Sequence, residues 1–234
     1  MQKTRAFILF LIPILFSNAC NTDTSTKDNT DKTASQEAAS QDFQGIDLLH
    51  NCNFTPPKDA TQYRIDTTTS KIEWFVENHR GFLKFSTGSF YLKDDKILSG
   101  EFIANMNTIT DTDIDYALMK GTLENTLKSD DFFKTKLFPE GHFHITKIIR
   151  KTGDLYQVEG HLVLLNFSHP IVFEATITFT DGKIVATSKP IIIDRTRWNV
   201  TKYSKKVARK EDDIIVSDEI KLVVHLETIP PAIQ

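Results

Sequence analysis

The chain has 234 residues, 40% of them hydrophobic, and its 28 lysines and arginines against 31 aspartates and glutamates give a net charge of −3. A mildly acidic chain without a basic stripe is poorly suited to nucleic acid or to an anionic lipid surface, so we expect no nucleic-acid partner. The length accommodates one sizeable domain together with additional segments.

The start of the chain predicts a signal peptide over residues 1–19. Lys3 and Arg5 precede the apolar run Ala6–Phe16, which has eleven residues. A membrane-spanning helix needs about 20 apolar residues, so this run is too short to span a bilayer and is typical of a secretory signal.

The signal ends in Ser17-Asn-Ala-Cys20, which resembles the cleavage box of bacterial lipoproteins. Cleavage before Cys20 would expose its thiol for acylation, and several acyl chains on one residue give a stable membrane anchor. Asn21, rather than an aspartate, follows the cysteine, which favours the outer membrane on its periplasmic side. Secretion without a lipid anchor is the alternative.

Residues 20–61 are predicted to form a lipid-anchored flexible tether and lead-in. The stretch 21–42 contains no aromatic and no large aliphatic residue. Such a segment cannot bury enough apolar surface to offset the entropy that it would lose on folding. We therefore predict one folded domain over residues 62–229.

Beyond residue 62, apolar residues alternate with polar ones as they do in β-strands. In 171–179, every second residue from Ile171 to Phe179 is apolar, which predicts a half-buried antiparallel strand. Asp181-Gly182 then predicts a tight hairpin turn. The other predicted strands are Tyr63–Asp66, Lys71–Glu77, Phe82–Phe90, Ile97–Ile109, His144–Arg150, Leu155–Leu165, Ile184–Ala186, Lys189–Asp194 and Glu219–Thr228.

Eight or more strands with short connections predict an all-β protein, either an antiparallel sandwich or a closed barrel. One helical insertion interrupts the strands. Its apolar residues recur every four or five positions, at Ile114, Leu118, Leu123 and Leu127. Thr112 or Asp113 is predicted to cap its start, and Gly121 predicts a kink or a division into two short helices.

The segment Leu127–Phe133, LKSDDFF, follows this helix. Asp130 and Asp131 could act as an acid–base pair, but no nucleophile or metal motif accompanies them, so a solvated turn is the favoured interpretation. Phe132 and Phe133 are interpreted as apolar anchors that hold the end of the helix against the sheet.

His142 and His144 are two residues apart, so they share one face of a strand. Two histidines are a weak zinc signal without a third ligand, which Glu140 could supply. The other histidines form no recognisable template, and the sequence has neither a nucleophile elbow nor a phosphate-binding loop. We predict no metal, no cofactor, no catalytic residue and no enzymatic activity; a metal-dependent enzyme around the two histidines is one rival interpretation.

Several short motifs together resemble the YceI-like family of bacterial lipid-binding proteins. The resemblance covers about residues 62–228, and its most specific parts are LKSDDFF and the Phe138-Pro139 that follows it. The other matching motifs are Tyr63–Asp66, Lys71–Trp74, Gly88–Phe90, Ile109–Thr112, Val158–Leu162, His169-Pro170 and Asp194–Asn199.

The resemblance implies a lipocalin-like antiparallel β-barrel with a helical insertion. It also implies a long tunnel that holds a polyisoprenoid chain, such as an isoprenoid quinone or an isoprenyl phosphate. The sequence departs from the family's pattern at Leu162–Asn166, where a glycine is absent. This difference could change a turn or narrow the tunnel.

The residues expected to line the tunnel lie on the apolar strand faces, where plain core packing would suit them equally. They are Trp74, Phe102, Met106, Phe143, Ile145, Val158, Leu162, Ile171, Phe173, Ala175 and Ile177. Arg195 and Arg197 lie near a strand end, where they could meet a polar head group or form surface ion pairs.

The predicted function is the binding or transport of an apolar, isoprenoid-type lipid in the cell envelope. The predicted partners are that lipid and the membrane that holds the N-terminal anchor. A barrel without a ligand, serving as an envelope stress or interaction module, is the second rival interpretation. A homodimer is left open.

Overall fold

The computed structural model describes residues 54–208 and 214–230. The predicted signal peptide and Cys20 lie outside these residues, as does most of the predicted tether. Among the described residues, no helix has both the length and the apolar character that crossing a membrane requires.

Ten strands, one α-helix and one short 3-10 helix form the described part of the chain. Each predicted strand has a counterpart, although β3 and β4 are longer than expected, at 15 and 16 residues. In chain order the elements are β1 (Thr61–Arg64), β2 (Lys71–Val76), β3 (His79–Lys93), β4 (Lys96–Asp111), α1 (Ala117–Lys128), β5 (Glu140–Arg150), β6 (Leu155–Leu164), β7 (Phe167–Thr180), β8 (Lys183–Ser188), β9 (Ile191–Asp194), the 3-10 helix (Arg195–Trp198) and β10 (Glu219–Glu227).

Eight of the strands form a closed antiparallel ring. The order around it is β3, β2, β10, β8, β7, β6, β5 and β4, and β4 pairs again with β3. The ladder that closes the ring runs from Gly81 opposite Asp111 to Lys93 opposite Lys96. The prediction of an antiparallel, lipocalin-like barrel with a helical insertion is therefore confirmed.

Two positions in the ring are each occupied by two short strands. β1 and β2 pair with the same edge of β3, and β8 and β9 pair with the same edge of β10. Among the described strands, β9 pairs with β10 alone and forms no ladder with β7. The 3-10 helix packs against β7 instead. Trp198 Nε1 donates to the Leu162 carbonyl at 3.0 Å, and His169 Nε2 donates to the Arg197 carbonyl at 2.8 Å.

The inward-facing side chains form two apolar clusters inside the barrel, because alternate residues of each strand point to the same side. The first cluster includes Phe102 and Ile177. The second includes Trp74 and Met106, and residues of the helical segment pack against it. The two clusters share several half-buried neighbours, Phe173 among them.

The helical insertion differs from the prediction in two respects. α1 is one continuous helix that passes through Gly121, and an added Cβ there would meet no neighbouring atom. Neither Thr112 nor Asp113 caps it, since the N-cap residue is Tyr116 and makes no side-chain hydrogen bond. The predicted cap is wrong because Asp111 organises the preceding turn, where its Oδ1 accepts the N–H groups of Asp113 and Ile114 at 3.1 and 2.8 Å.

The connection between β6 and β7 is a two-residue turn formed by Leu165 and Asn166. Their φ angles are 48° and 64°, in the left-handed region that asparagine tolerates and leucine rarely adopts. Leu165 is nevertheless buried in a third, smaller cluster with Phe132 and Val200. Burial of the leucine side chain thus offsets backbone strain in the segment where the sequence resemblance implies a glycine.

We expect Asn166→Ala to lower the free energy of unfolding by about 1 kcal/mol, because alanine does not share the tolerance of asparagine for positive φ. Asn166→Gly is the matched control and should be at least as stable as the original chain, since glycine has no steric penalty in this region. Urea unfolding of the three proteins measures the difference. Equal stabilities of the alanine and glycine variants would contradict the assignment of strain to this turn.

Candidate functional site

The barrel encloses a cavity of about 190 Å³. All eight strands of the ring, β9 and the helical segment contribute residues to its wall. Members of both inner clusters border the cavity, so it extends along the barrel. Apolar side chains make up almost the whole wall. Ser188 and His142 are exceptions, and the Ser188 hydroxyl already accepts the backbone N–H of Val224 at 2.9 Å.

All of the residues predicted to line a tunnel border this cavity, and the structure brings them together from five strands, β2, β4, β5, β6 and β7. That they bind a ligand stays a prediction. They are Trp74, Phe102, Met106, Phe143, Ile145, Val158, Leu162, Ile171, Phe173, Ala175 and Ile177.

The sequence reasoning missed a second group of wall residues, which lie on β3, β9, β10 and the helical segment. The alternation along β10 was visible in the sequence and could have identified its members. Alternation is harder to recognise in β9, which is short, and in β3, whose pairing with β4 is irregular. The main members of this group are Leu83, Phe85, Leu127, Phe133, Ile191, Ile193, Ile220, Leu222, Val224 and Leu226.

Two aromatic rings of the wall lie over glycines of neighbouring strands. A Cβ added at Gly81 would overlap the indole of Trp74, and one added at Gly160 would overlap the ring of Phe143. The glycines therefore let each ring lie flat against the backbone of the adjacent strand. This placement keeps the two rings on the wall and leaves the centre of the barrel less filled.

The phenylalanines after α1 occupy two different environments. Phe132 is buried in the third cluster, beside Leu165 and Val200, whereas Phe133 borders the cavity. Backbone hydrogen bonds fix the segment, because the N–H of Phe133 donates to the carbonyl of Leu127 at 3.1 Å. The segment thus joins the end of α1 to the barrel, and one of its two rings contributes to the cavity wall.

Asp130 and Asp131 are both exposed at this helix end. Asp131 lies 3.3 Å from Lys202 Nζ across the surface. Exposed ion pairs of this kind contribute little to stability, and neither carboxylate faces the cavity. The arrangement fits the solvated turn rather than an acid–base pair.

His142 and His144 are half-buried on β5 rather than fully facing solvent. His142 Nε2 lies 3.4 Å from Glu140, and the ring of His144 lies 5.5 Å from that of His161. Burial, together with the nearby His161 and His142, lowers the pKa of His144, which favours its neutral form. Within residues 54–208 and 214–230, no carboxylate or thiol completes a three-ligand group with these histidines.

Arg195 neither faces a head-group site nor forms a surface ion pair, so both interpretations of this residue are wrong. It is 3% exposed, and its guanidinium donates to four backbone carbonyls. Asp218 lies 3.3 Å from it. The arginine therefore connects the chain after the 3-10 helix to the irregular segment that leads into β10. Arg197 is exposed and lies over the ring of Trp198 at 5.4 Å.

Asp194 begins the 3-10 helix and caps it. Its carboxylate accepts the N–H of Thr196 at 3.0 Å and lies 2.6 Å from Lys206 Nζ. Burial raises the pKa of Asp194, but the hydrogen bonds from Lys206 and Thr196 outweigh that effect and lower the pKa from 3.8 to about 2.

Comparison with known proteins relates the chain to one family. The family model for the YceI-like domain matches residues 63–228, well over half of the chain. No curated protein shows significant sequence similarity to it.

Two solved structures share the fold. BcnA of Burkholderia cenocepacia superimposes with a TM-score of 0.57 at 19% sequence identity, over 70% of this chain and 99% of that chain. A polyisoprenoid binding domain from Saccharophagus degradans, implicated in plant cell wall breakdown, superimposes with a TM-score of 0.52 at 14% identity. The match covers 72% of this chain and 98% of that chain. At these identities the likeness shows the fold alone.

Phe132→Ala and Phe133→Ala form a matched pair of variants. We expect Phe132→Ala to lower the free energy of unfolding by about 3–5 kcal/mol, because it empties a buried site in the third cluster. Phe133→Ala should reduce the stability less. It should also change the affinity for an apolar dye, measured by fluorescence titration, since it enlarges the cavity. Equal stability losses, or equal dye affinities, would argue against this division of roles.

Asp194→Asn tests the cap of the 3-10 helix through its pH dependence. The folded-state pKa is lowered, so the carboxylate stabilises the protein above pH 3.8 and loses that contribution as the pH falls towards about 2. We expect the variant to be about 1 kcal/mol less stable at neutral pH. Urea midpoints of the two proteins should converge near pH 2. A difference that is constant from pH 7 to pH 2 would exclude the ionised cap as its source.

Proposed function

This chain belongs to the YceI-like family, and we propose that its barrel binds a long apolar lipid of the isoprenoid type in the cavity. The observation that carries the proposal is the apolar wall, to which every strand of the ring contributes. A cavity that runs along the barrel and offers almost no polar group suits a hydrocarbon chain better than a polar metabolite.

The hydrophobic effect supplies enough free energy for such binding. Each methylene removed from water contributes about 0.8 kcal/mol, so a five-carbon isoprene unit contributes on the order of 4 kcal/mol. Part of this gain offsets the translational and conformational entropy that the lipid loses. A few enclosed units would therefore suffice for stable binding without a hydrogen bond to the chain.

The related domain from Saccharophagus degradans is described as polyisoprenoid binding. We extend that ligand class to this chain on the basis of the apolar cavity. Binding rather than catalysis is proposed, because the Ser188 hydroxyl on the wall is bonded to the N–H of Val224 and the His142 imidazole lies beside Glu140.

We further propose that the protein acts in the cell envelope, on the periplasmic side of the outer membrane. The predicted signal peptide and acylated Cys20 would hold it there. A flexible tether of about 40 residues has a root-mean-square span of about 35 Å, so the barrel could leave and reach the bilayer surface while anchored.

The proposal is tested by extracting the natively purified full chain with organic solvent and analysing the extract by mass spectrometry. We expect a long-chain isoprenoid at about one molecule per protein. An extract without lipid, together with no uptake of an added isoprenoid quinone, would overturn the proposal and favour the ligand-free module. A polar ligand would overturn it as well.

Ala175→Phe provides a variant test within the same experiment. Ala175 is buried and borders the cavity, so a phenyl ring there should displace the lipid chain and reduce bound lipid about tenfold or more. Thr176→Phe is the matched control, because Thr176 is the next residue on β7 and is exposed. Circular dichroism checks that both variants fold. Equal lipid contents in the two variants would show that the cavity is not the binding site.

A further inference from the structure

A group of three potential metal ligands lies at the edge of the barrel from which α1 departs. His79 begins β3, Asp111 ends β4, and Asp113 lies in the link to α1. One ligand atom from each lies within 4.8 Å of the others. The pairing of β3 with β4 brings them together, since Gly81 is opposite Asp111.

The buried carboxylate of Asp111 is only half satisfied. Its residue is 0% exposed, and Oδ1 accepts two backbone N–H groups, whereas Oδ2 has no hydrogen-bond partner. Among the described residues, the ion pairs of lysine and arginine involve other carboxylates and none involves Asp111. A buried carboxylate oxygen without a partner is costly, so this atom points to a missing positive group.

Asp113 is held in a similar way. Its Oδ1 accepts the N–H of Arg80 at 2.7 Å, and its Oδ2 lies 3.2 Å from His79 Nδ1. In both carboxylates the backbone therefore fixes one oxygen, while the other oxygen has no partner in Asp111 and faces His79 in Asp113. Such fixing of a ligand by neighbouring hydrogen bonds is typical of metal sites.

The separation of one ligand pair suits a small ion. Ligand atoms lie about 2.0–2.2 Å from zinc, so two ligands of a tetrahedral ion are separated by about 3.4 Å. The separation of 3.2 Å between His79 Nδ1 and Asp113 Oδ2 is close to this value. His79 is exposed, so its ring has the freedom to adjust towards Asp111.

We propose that His79, Asp111 and Asp113 bind a divalent transition-metal cation of the zinc type. Imidazole with two carboxylates favours such a cation over Ca²⁺, which takes six to eight oxygen ligands. Water would complete the coordination. The bound ion would connect the start of β3 to the end of β4 and so brace the place where α1 leaves the barrel.

The proposal is tested by titrating zinc into the metal-stripped full chain in detergent. Isothermal titration calorimetry measures the binding. The unmodified chain should bind Zn²⁺, and its Tm should rise by several degrees with excess zinc. His79→Gln and Asp111→Asn should each weaken this binding by about tenfold or more. His144→Gln is the matched control and should leave it unchanged.

The exposed position of His79 makes His79→Gln the deciding variant, since Asp111→Asn alters a buried site and could impair folding. Absence of zinc binding, or zinc binding that His79→Gln leaves unchanged, would overturn the proposal. The same is true if His144→Gln removes the binding, because the site would then lie on β5. None of these results bears on lipid in the cavity, so the two proposals fail separately.

Discussion

The pairing of β3 with β4 is the interaction on which the rest of the structure depends. It converts a sheet with two free edges into a ring, and an eight-stranded ring has an interior just wide enough for side chains or for one slender ligand. Alternation along each strand then determines which residues face that interior. The same pairing also brings His79 and Asp111 to one edge of the barrel, although they are far apart in the sequence.

The inward faces could be predicted from the sequence because alternation is a local property. The apolar faces of their strands predict Trp74, Phe143 and Ala175 as residues that line the interior, and all three border the cavity. The hairpin turn at Asp181-Gly182 is equally local, and both residues have the positive φ that a tight turn requires. Whether the interior is filled or hollow is not local, because it depends on how rings and glycines from different strands fit together.

Hydrogen bonds of two buried charged side chains, Arg195 and Asp111, account for the predictions that failed. The sequence around Arg195 predicts an exposed residue. The carbonyls that surround its side chain, however, come partly from Val216 and Ser217, about twenty residues later. The start of α1 was misplaced for a related reason. Asp111 precedes the helix by several residues, and its side chain accepts the N–H groups of Asp113 and Ile114 in a turn before the helix, whereas the prediction is a cap by Thr112 or Asp113.

The absence of a ladder between β7 and β9 has a consequence for how the barrel moves. Separating two paired strands breaks a series of backbone hydrogen bonds, whereas the 3-10 helix that follows β9 is joined to β6 and β7 by the side-chain hydrogen bonds of Trp198 to Leu162 and of His169 to Arg197. Local opening with a free energy below that of global unfolding follows the path with the fewest bonds. The wall is therefore weakest between β7 and β9. Opening at this place would give access to the interior through the side of the barrel rather than through either end.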